Sequence, residues 1–562
     1  MFGKLASYDA ANAPLFRFNE ERPYLVREVS RRVYGKYLRE SREQELRRLE
    51  YVLNETAYYE IQRLKVETGP EEELHDIGWW RALARRLGDM SEDEKRDILR
   101  DLIDAYVDDT AGKFDPRVFK MATGVLPVGL GLVFKAQDLG YLPESVMHLR
   151  SGLRHLRDLS ERVSVEGDVD TLRKLYRKGT LVFVPTHSSN MDSILMGWAL
   201  EQSGLPPVTY GAGKNLFTNP LTSFFMHNLG AYRVDRRLGH LLYKDVLKNY
   251  SQVLLERGFH SLFFPGGTRC RSNEVEDKLK LGLLGTAVTA MIHNLRNHGK
   301  AQPIYVCPVT INYNLVLEGE SLIREYLRRE GRQRYFLEND EFDQLSTIVR
   351  FVMNTVKMDA NTVIRFGRPL DPFGNEVDGE GRSWDDRGRE VDPISYVQST
   401  RTGEVCEDAV RDREYTRFCG ERVAQRFRES TVIQPSSVVA WALFEIARSR
   451  FEVMDVFQFL RVGTQEMIER YEAHSVVSEL MGDLRQLAQR GHLHLADAIR
   501  DGSAQEVLNN GLASLASYHI PAPVSLAGAA ICLDRLDLLF FYGNRVRTFG
   551  LNAADILARA AR

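Results

Sequence analysis

The stretch from about residue 178 to 370 constrains the fold most, because short strand-like runs alternate there with helix-like runs. The strand-like runs are rich in β-branched and aromatic residues. They are residues 180–185, 207–210, 230–234, 261–264, 304–313 and 362–366. Helical spacing occupies residues 239–256 and 280–295 between them. This alternation predicts an α/β layer with a largely parallel or mixed sheet.

The segments on either side of this unit have helical periodicity. Near the N-terminus, apolar residues recur every three or four positions between residues 46 and 64, the spacing of one helix face. Residues 371–393 are rich in glycine and acidic residues, which favours a polar loop. The chain is therefore divided into a helical N-terminal region at 1–155, an α/β domain at 156–372, a polar loop at 373–394 and a helical C-terminal region at 395–562.

Charge and cysteine content exclude several classes of function. Lys and Arg total 75 against 78 Asp and Glu, and a net charge of -3 is not that of a protein that coats nucleic acid. The five cysteines are scattered and form no Cys-x-x-Cys pair, so the sequence suggests neither a disulfide framework nor a zinc site. We expect no nucleic-acid partner and no metal.

The most apolar run, residues 121–134, is shorter than the roughly 20 residues that cross a bilayer as a helix. Two interpretations stay open for this run. It is either a segment that dips into a membrane surface or lines an acyl-chain tunnel, or an ordinary buried element. Residues 1–18 contain no apolar stretch of signal-peptide length, so we expect no secretory address.

The first candidate for chemistry follows the strand-like run 181–185, where the sequence Thr-His-Ser-Ser-Asn-Met-Asp leads into a helical run at 193–201. His187 and Asp192 lie five positions apart and can face each other across this junction. A carboxylate that holds one ring nitrogen leaves the other nitrogen free to accept a proton. This is the base half of a catalytic triad, and an acceptor alcohol would supply the attacking oxygen. The same residue types also suit a simple helix cap.

Four further motifs follow in order: Gly-Ala-Gly-Lys-Asn at 211–215, Gly-Ala-Tyr-Arg-Val-Asp-Arg at 230–236, Phe-Phe-Pro-Gly-Gly-Thr-Arg-Cys-Arg at 263–271 and Cys-Pro-Val-Thr at 307–310. His187 and Asp192 resemble the first of the four acyltransferase blocks of the glycerolipid acyltransferase superfamily, and the motifs at 230–236, 263–271 and 307–310 resemble the second, third and fourth blocks. The resemblance covers about a third of the chain. Residues 308–313, with Glu318 after them, are most similar to the fourth block of the glycerol-3-phosphate and dihydroxyacetone-phosphate acyltransferases.

The resemblance implies a glycerolipid-acyltransferase-type α/β domain with a mixed sheet between two helical regions. It implies that His187 is the general base and Asp192 its orienting partner. The acyl group would pass from acyl-CoA or acyl carrier protein to the sn-1 hydroxyl of glycerol 3-phosphate, without a cofactor. We expect the protein to be peripheral on the cytoplasmic face of a membrane, where its acylated product partitions.

The second and third blocks also predict an anion site. Arg236, Arg269 and Arg271 would lie at strand ends that face one cleft. A guanidinium suits a phosphate dianion because two N–H groups meet two oxygens. Lys214 and Lys280 would add charge at the rim. The alternative is that these cations pair with surface carboxylates, as such groups commonly do.

Two glycines of the third block predict a close backbone approach to the substrate. Gly266 and Gly267 carry no side chain, so the main chain there can come near a ligand. Backbone amides in this region would stabilise the oxyanion of the reaction.

The sequence departs from the superfamily pattern at three positions. Gly266 stands where the third block usually has Glu, Cys270 where it often has Ser, and Ser188 where the glycerol-3-phosphate enzymes often have Arg. The acceptor is therefore left open between glycerol 3-phosphate, dihydroxyacetone phosphate and a lysophospholipid. A catalytically idle lipid-binding homologue is the further alternative, and Gly266 favours it.

Overall fold

The computed structural model describes residues 13–43, 47–66, 75–119, 163–217, 220–298, 302–331, 362–451, 455–462 and 466–562. The apolar run at 121–134 and the expected boundary between residues 155 and 156 lie outside the described residues.

A seven-stranded sheet organises the α/β domain. Its strands are β1 Val163–Gly167, β2 Thr180–Pro185, β3 Thr209–Gly213, β4 Ala231–Val234, β5 Ser261–Leu262, β6 Ile304–Asn312 and β7 Thr362–Phe366. Their order is β1-β7-β6-β2-β5-β3-β4. Strands β6 and β7 are antiparallel, and every other neighbouring pair is parallel, so the sheet is mixed as expected. Strand β1 was not predicted from the sequence.

Helices connect these strands and cover the sheet. They are α5 Val169–Leu175, α6 Asp192–Gln202, α7 Pro220–Asn228, α8 Leu241–Glu256, α9 Gly285–His298 and α10 Gly319–Gly331, with a 3-10 turn at Lys214–Phe217. Strands β2 and β6 are buried along their whole length, as central strands covered on both faces are. Successive residues of a strand face opposite sides. Leu181 and Phe183 therefore enter one core, and Val182 and Val184 enter another.

The described part of the N-terminal region is helical, as predicted. It consists of a 3-10 turn at Pro14–Arg17 and the helices α1 Phe18–Glu43, α2 Arg47–Val66, α3 Ile77–Arg86 and α4 Glu92–Thr110. Helix α4 begins at a capping box, in which Ser91 and Glu94 satisfy each other's backbone amides. Ion pairs between Arg32 and Glu256 (2.7 Å) and between Lys36 and Asp245 (2.7 Å) hold α1 against α8.

The predicted polar loop contains three short antiparallel strands, β8 Glu376–Val377, β9 Ser383–Trp384 and β10 Glu390–Val391, followed by a 3-10 turn at Pro393–Val397. The C-terminal region is mainly helical. Its helices are α11 Ala409–Ser430, α12 Pro435–Ser449, α13 Val456–Val462, α14 Arg470–Gln489, α15 Asp497–Arg500, α16 Ala504–Leu515, α17 Leu536–Arg547 and α18 Ala553–Ala560. Its strands are β11 Val432–Ile433, β12 Glu466–Glu469, β13 His494–Leu495, β14 Val524–Ala527 and β15 Ala530–Leu533.

The C-terminal region packs directly on the sheet. Phe183 and Ile311 of the sheet share one apolar core with Trp441 and Phe444 of helix α12. The α/β domain and the C-terminal region are therefore one packed unit around that core.

Polar side chains of β6 and the residues just after it strengthen this contact. Thr310 Oγ1 donates to the carbonyl of Ser430 (2.7 Å), and Asn312 Oδ1 accepts from the amide of Val432 (3.0 Å).

Among the helices of the described residues, none is both long enough and apolar enough to cross a membrane.

Candidate active site

His187 lies in the turn between β2 and helix α6, and Asp192 is the first residue of that helix. The ring nitrogen Nδ1 of His187 is 2.8 Å from Asp192 Oδ2. The same carboxylate oxygen accepts from the amides of Ser188 (2.7 Å) and Ser189 (2.8 Å). A carboxylate at a helix N-terminus is favoured by the helix dipole. The amides of Ser188 and Ser189 belong to the turn before the helix, whose N-cap residue is Met191 and which has no side-chain cap.

Tyr313 completes the surroundings of Asp192. Its hydroxyl donates to Asp192 Oδ1 at 2.6 Å, and both residues are buried. Burial first, and then the nearby Asp192 carboxylate, raise the pKa of Tyr313 well above its usual value, so the phenol keeps its proton and stays a donor. The sequence motif included Tyr313, but its spacing gave no reason to assign it this role.

The second nitrogen of His187 is available for chemistry. The hydrogen-bond geometry places the ring proton on Nδ1, facing the carboxylate, which leaves Nε2 as the acceptor. Nε2 makes no hydrogen bond to any residue that the structure describes. The ring of Phe264, from the third block, stacks on His187 with centroids 4.1 Å apart and fixes the plane of the imidazole.

Glu318, beyond the end of β6, connects the blocks to one another. This fully buried carboxylate accepts from Ser189 Oγ (2.7 Å) and from the amide of Asn190 (2.9 Å). Arg269 Nη1 lies 3.4 Å from the same carboxylate. Arg269 is thus paired with a buried acid of the site, and the first, third and fourth blocks meet at Glu318.

The structure brings the three predicted arginines together. Burial of the guanidinium, followed by the charges of Arg269 and Arg271, lowers the pKa of Arg236, although the residue as a whole reaches solvent. Arg271 forms an ion pair with Glu325 (2.8 Å). No carboxylate among the described residues pairs with Arg236. The group therefore offers one uncommitted guanidinium beside two that have acidic partners.

The two predicted lysines contact residues that are close in sequence to these arginines. Lys214 Nζ is 4.0 Å from Asp235, and Lys214 lines a separate cavity of about 430 Å³ with Arg63 and Arg233. Lys280 is exposed, and its side chain crosses Gly267, where an added Cβ would lie 2.5 Å from Lys280 Cδ.

Gly266, which stands where the third block usually has Glu, lies next to the side chain of Glu276. A Cβ on Gly266 would lie 2.6 Å from Glu276 Oε1, so the Glu276 carboxylate fills the space that a side chain at 266 would enter. Glu276 Oε1 also accepts from the amide of His187 (3.4 Å). Burial raises the pKa of Glu276 to about 8. Glu276 lies outside all four blocks, so no motif of the sequence pointed to it.

Within the described residues, no group of three or more His, Cys, Asp or Glu side chains could hold a metal ion. The chemistry that these residues offer is proton transfer by an oriented imidazole beside a cationic pocket.

Residues 166–312 match the model of the Acyltransferase family. The glycerol-3-phosphate acyltransferase of Pseudomonas fluorescens is 26% identical over 328 residues, which are 57% of this chain and 35% of that protein. The protein of the same name from Haemophilus ducreyi is 30% identical over 205 residues, 36% of this chain and 23% of that protein. The one from Baumannia cicadellinicola is 33% identical over 161 residues, 28% and 19% of the two chains.

These matches span about a fifth to a third of the length of the relatives. Among solved structures, the 1-acyl-sn-glycerophosphate acyltransferase PlsC of Thermotoga maritima is 15% identical, with a TM-score of 0.23 over 45% of this chain and 83% of that chain. The four blocks, the His187–Asp192 contact and the family match all fall on the same mixed sheet. Residues 166–312 of this chain are therefore similar to the Acyltransferase family.

Proposed function

We propose that this chain is a glycerol-3-phosphate O-acyltransferase, which moves a fatty acyl group from acyl-CoA or acyl carrier protein to the sn-1 hydroxyl of glycerol 3-phosphate. One observation carries the proposal: a histidine oriented by a buried aspartate, with its other nitrogen open, next to a group of three arginines. The names of the similar bacterial proteins agree with it.

In this mechanism, His187 Nε2 takes the proton of the acceptor hydroxyl while the hydroxyl oxygen attacks the thioester carbonyl carbon. Asp192 stabilises the imidazolium that forms, and it does so without taking the proton. The tetrahedral intermediate then collapses, the carbon–sulfur bond breaks, and the thiolate leaves. His187 returns its proton to the thiolate sulfur, so the dyad ends as it began.

The arginine group supplies the binding site for the acceptor phosphate in this proposal. Arg236 is its main ligand because it has no carboxylate partner among the described residues. Arg269 and Arg271 add positive charge, since their guanidinium groups are close enough to lower the pKa of Arg236. Charge-assisted contacts of this kind contribute about 1.5 to 3 kcal/mol each.

The activity test is an assay of the purified chain with radiolabelled palmitoyl-CoA and a panel of acceptors. Glycerol 3-phosphate is expected to be the preferred acceptor over dihydroxyacetone phosphate and lysophospholipids. His187→Ala is expected to lower the rate by about 10² to 10⁴ without unfolding the protein, because general-base help contributes that much. Asp192→Asn should also be strongly impaired. A folded His187→Ala protein that turns over like the wild type contradicts the mechanism, and an inactive wild type favours the idle lipid-binding homologue.

The phosphate-site test compares Arg236→Ala with Arg237→Ala. Arg237, the next residue, is held by Asp235 at 3.1 Å and serves as the matched control. Arg236→Ala should raise the KM for glycerol 3-phosphate by about tenfold or more, while the KM for palmitoyl-CoA changes little. Arg236→Lys should restore only part of the loss, because an ammonium cannot form the planar fork. Damage confined to donor binding would instead assign this site to the phosphates of the donor.

We further propose that the chain acts as a peripheral protein on the cytoplasmic face of a membrane. The support is the chemistry of the reaction, since the acylated glycerol phosphate carries a hydrocarbon chain that partitions into lipid.

A further inference from the structure

We propose that the C-terminal helix α17 is part of the acyl-transfer site, and that its Arg545 is a positioning residue that holds the His187 turn against the loop after the third block. The inference deepens the proposed function and rests on it for its kinetic readout. Its structural readout is independent of that function.

Arg545 is a buried cation that bridges two segments of the site. Its side chain is enclosed by protein, with 7% of the residue exposed. Nη2 lies 3.0 Å from Asn273 Oδ1 and 3.4 Å from Ser188 Oγ. Ser188 follows His187 directly, and its amide binds Asp192. A single guanidinium nitrogen therefore links the catalytic turn to the third-block loop.

No carboxylate among the described residues forms an ion pair with Arg545. Removing a guanidinium from water without a paired carboxylate costs several kcal/mol. Burial lowers the pKa of Arg545, and the neighbouring ionisable groups Cys270, Glu276 and Asp192 oppose that effect. Two of these groups contact the His187 turn: Asp192 holds the ring, and Glu276 accepts the His187 amide. The Arg545 charge thus faces the acidic side of the catalytic pair.

Asn273, the loop residue that Arg545 contacts, makes a second hydrogen bond to helix α17. Asn273 Nδ2 donates to the carbonyl of Phe541 (3.2 Å) while its Oδ1 accepts from Arg545. Asn273 has a φ of +62°, a left-handed conformation that non-glycine residues seldom adopt. Strained backbone of this kind persists only where surrounding contacts over-determine it. Both ends of the Asn273 amide group are committed to helix α17.

Two more hydrogen bonds join the helix end to this loop. Asn544 Nδ2 donates to the carbonyl of Ser272 (2.9 Å). The amide of Val275 donates to Thr548 Oγ1 (3.2 Å), just beyond the helix. The loop from Ser272 to Val275 leads into Glu276, so helix α17 also determines where the Glu276 carboxylate lies relative to Gly266.

This contact also accounts for a departure seen in the sequence. Ser188 occupies the position where the glycerol-3-phosphate enzymes often carry an arginine. Arg545 brings a guanidinium to the Ser188 side chain from 357 residues away. The C-terminal region therefore places a guanidinium beside the first block.

The test uses Arg545→Met and Arg545→Lys in the full chain, with Arg535→Met as the matched control. Arg535 is the N-cap residue just before the same helix and is also largely enclosed, but it pairs with Asp537 and Glu320 rather than with the site. We expect Arg545→Met to lower kcat by about ten- to a hundredfold with both KM values nearly unchanged, because a small misplacement of the base costs that much. Arg545→Lys should recover part of kcat. Arg535→Met should keep the wild-type kcat.

The second measurement is hydrogen exchange of the Ser188 and Ser189 amides, which bind Asp192. Arg545→Met should speed their exchange by about tenfold or more, Arg545→Lys less, and Arg535→Met should leave it unchanged. Unchanged exchange in Arg545→Met, or equal acceleration in Arg535→Met, overturns the proposal whether or not the wild type transfers acyl groups. If Arg545→Met does not fold, wild-type exchange and kcat in Arg545→Lys would also overturn it, since the shorter lysine side chain would not hold Ser188 and Asn273 together as the guanidinium does.

Discussion

The carboxylate of Asp192 accepts hydrogen bonds from the His187 ring, from the amides of Ser188 and Ser189, and from the hydroxyl of Tyr313. Each partner comes from the turn itself or from the residue that follows β6. A carboxylate held on both oxygens needs no rearrangement when the imidazole becomes charged, and such preorganisation is a large part of catalysis. At the scale of single residues, the orientation of the His187 ring therefore depends on the hydrogen bonds that fix the Asp192 carboxylate.

Glu276 leads to a prediction about pH. Its pKa is raised from 4.5 to about 8, chiefly by burial, so the folded protein holds a proton that the unfolded chain releases. The stabilising contribution is full below about pH 4.5 and is lost as pH rises to about 8. Glu276→Gln, which stays neutral, should therefore raise Tm relative to the wild type at about pH 9, and the difference should close at about pH 5.

Thermal unfolding of both proteins at the two pH values measures this effect. Glu274→Gln, two residues away and exposed, is the control and should show no such pH-dependent difference. An equal Tm difference between Glu276→Gln and the wild type at both pH values would show that Glu276 does not titrate in this range.

At the scale of elements, alternate residues at the end of β6 and just after it contact two different parts of the molecule. Hydrogen bonds join the side chains of Thr310, Asn312 and Asn314 to the segment from Ser430 to Ser436, which leads into helix α12. Tyr313, between the last two, reaches Asp192 instead. A shift of one residue in β6 would exchange these faces and remove both sets of contacts. The fourth block and the residues after it therefore contact both the C-terminal region and the candidate active site.

Helix α17 shows the same coupling between distant elements. It begins near Glu320 of helix α10, to which Arg535 is paired (3.0 Å), and its last turns reach the third-block loop. The helix thus contacts the elements that follow two separate blocks. Its sequence alone carries no catalytic signature, since its apolar residues serve the core.

At the scale of the whole molecule, the mixed sheet lies between helical regions at both ends of the described chain. The proposed product belongs in a membrane, because each CH₂ of its acyl chain that enters lipid contributes about 0.8 kcal/mol to the free energy of membrane binding. We expect the protein to float with liposomes that contain anionic lipid and to be released from membranes by high salt or carbonate. His187→Ala should bind equally, since attachment does not require turnover. Release only by detergent would contradict a peripheral protein.

Much of the sheet and the contact between His187 and Asp192 could be predicted from the sequence. Strands β2 and β7 have the expected bounds. Strands β4, β5 and β6 each differ from their own expected bounds by one or two residues at one end. His187 and Asp192 meet as expected because they are five residues apart at one junction, where local backbone geometry alone brings them together. The apolar alternation of strands and helices is likewise a local property of the chain.

The tertiary structure decided which other groups join that pair. Glu276 contacts His187 from 89 residues away, Glu318 contacts Ser189 from 129, and Arg545 contacts Ser188 from 357. The sequence by itself determined the α/β layer and the dyad, because periodicity and short spacing act within one or two elements. The carboxylate over Gly266 and the guanidinium beside Ser188 arise only when buried surfaces pack, since contacts between distant segments follow from the shape of the whole core and not from any local pattern.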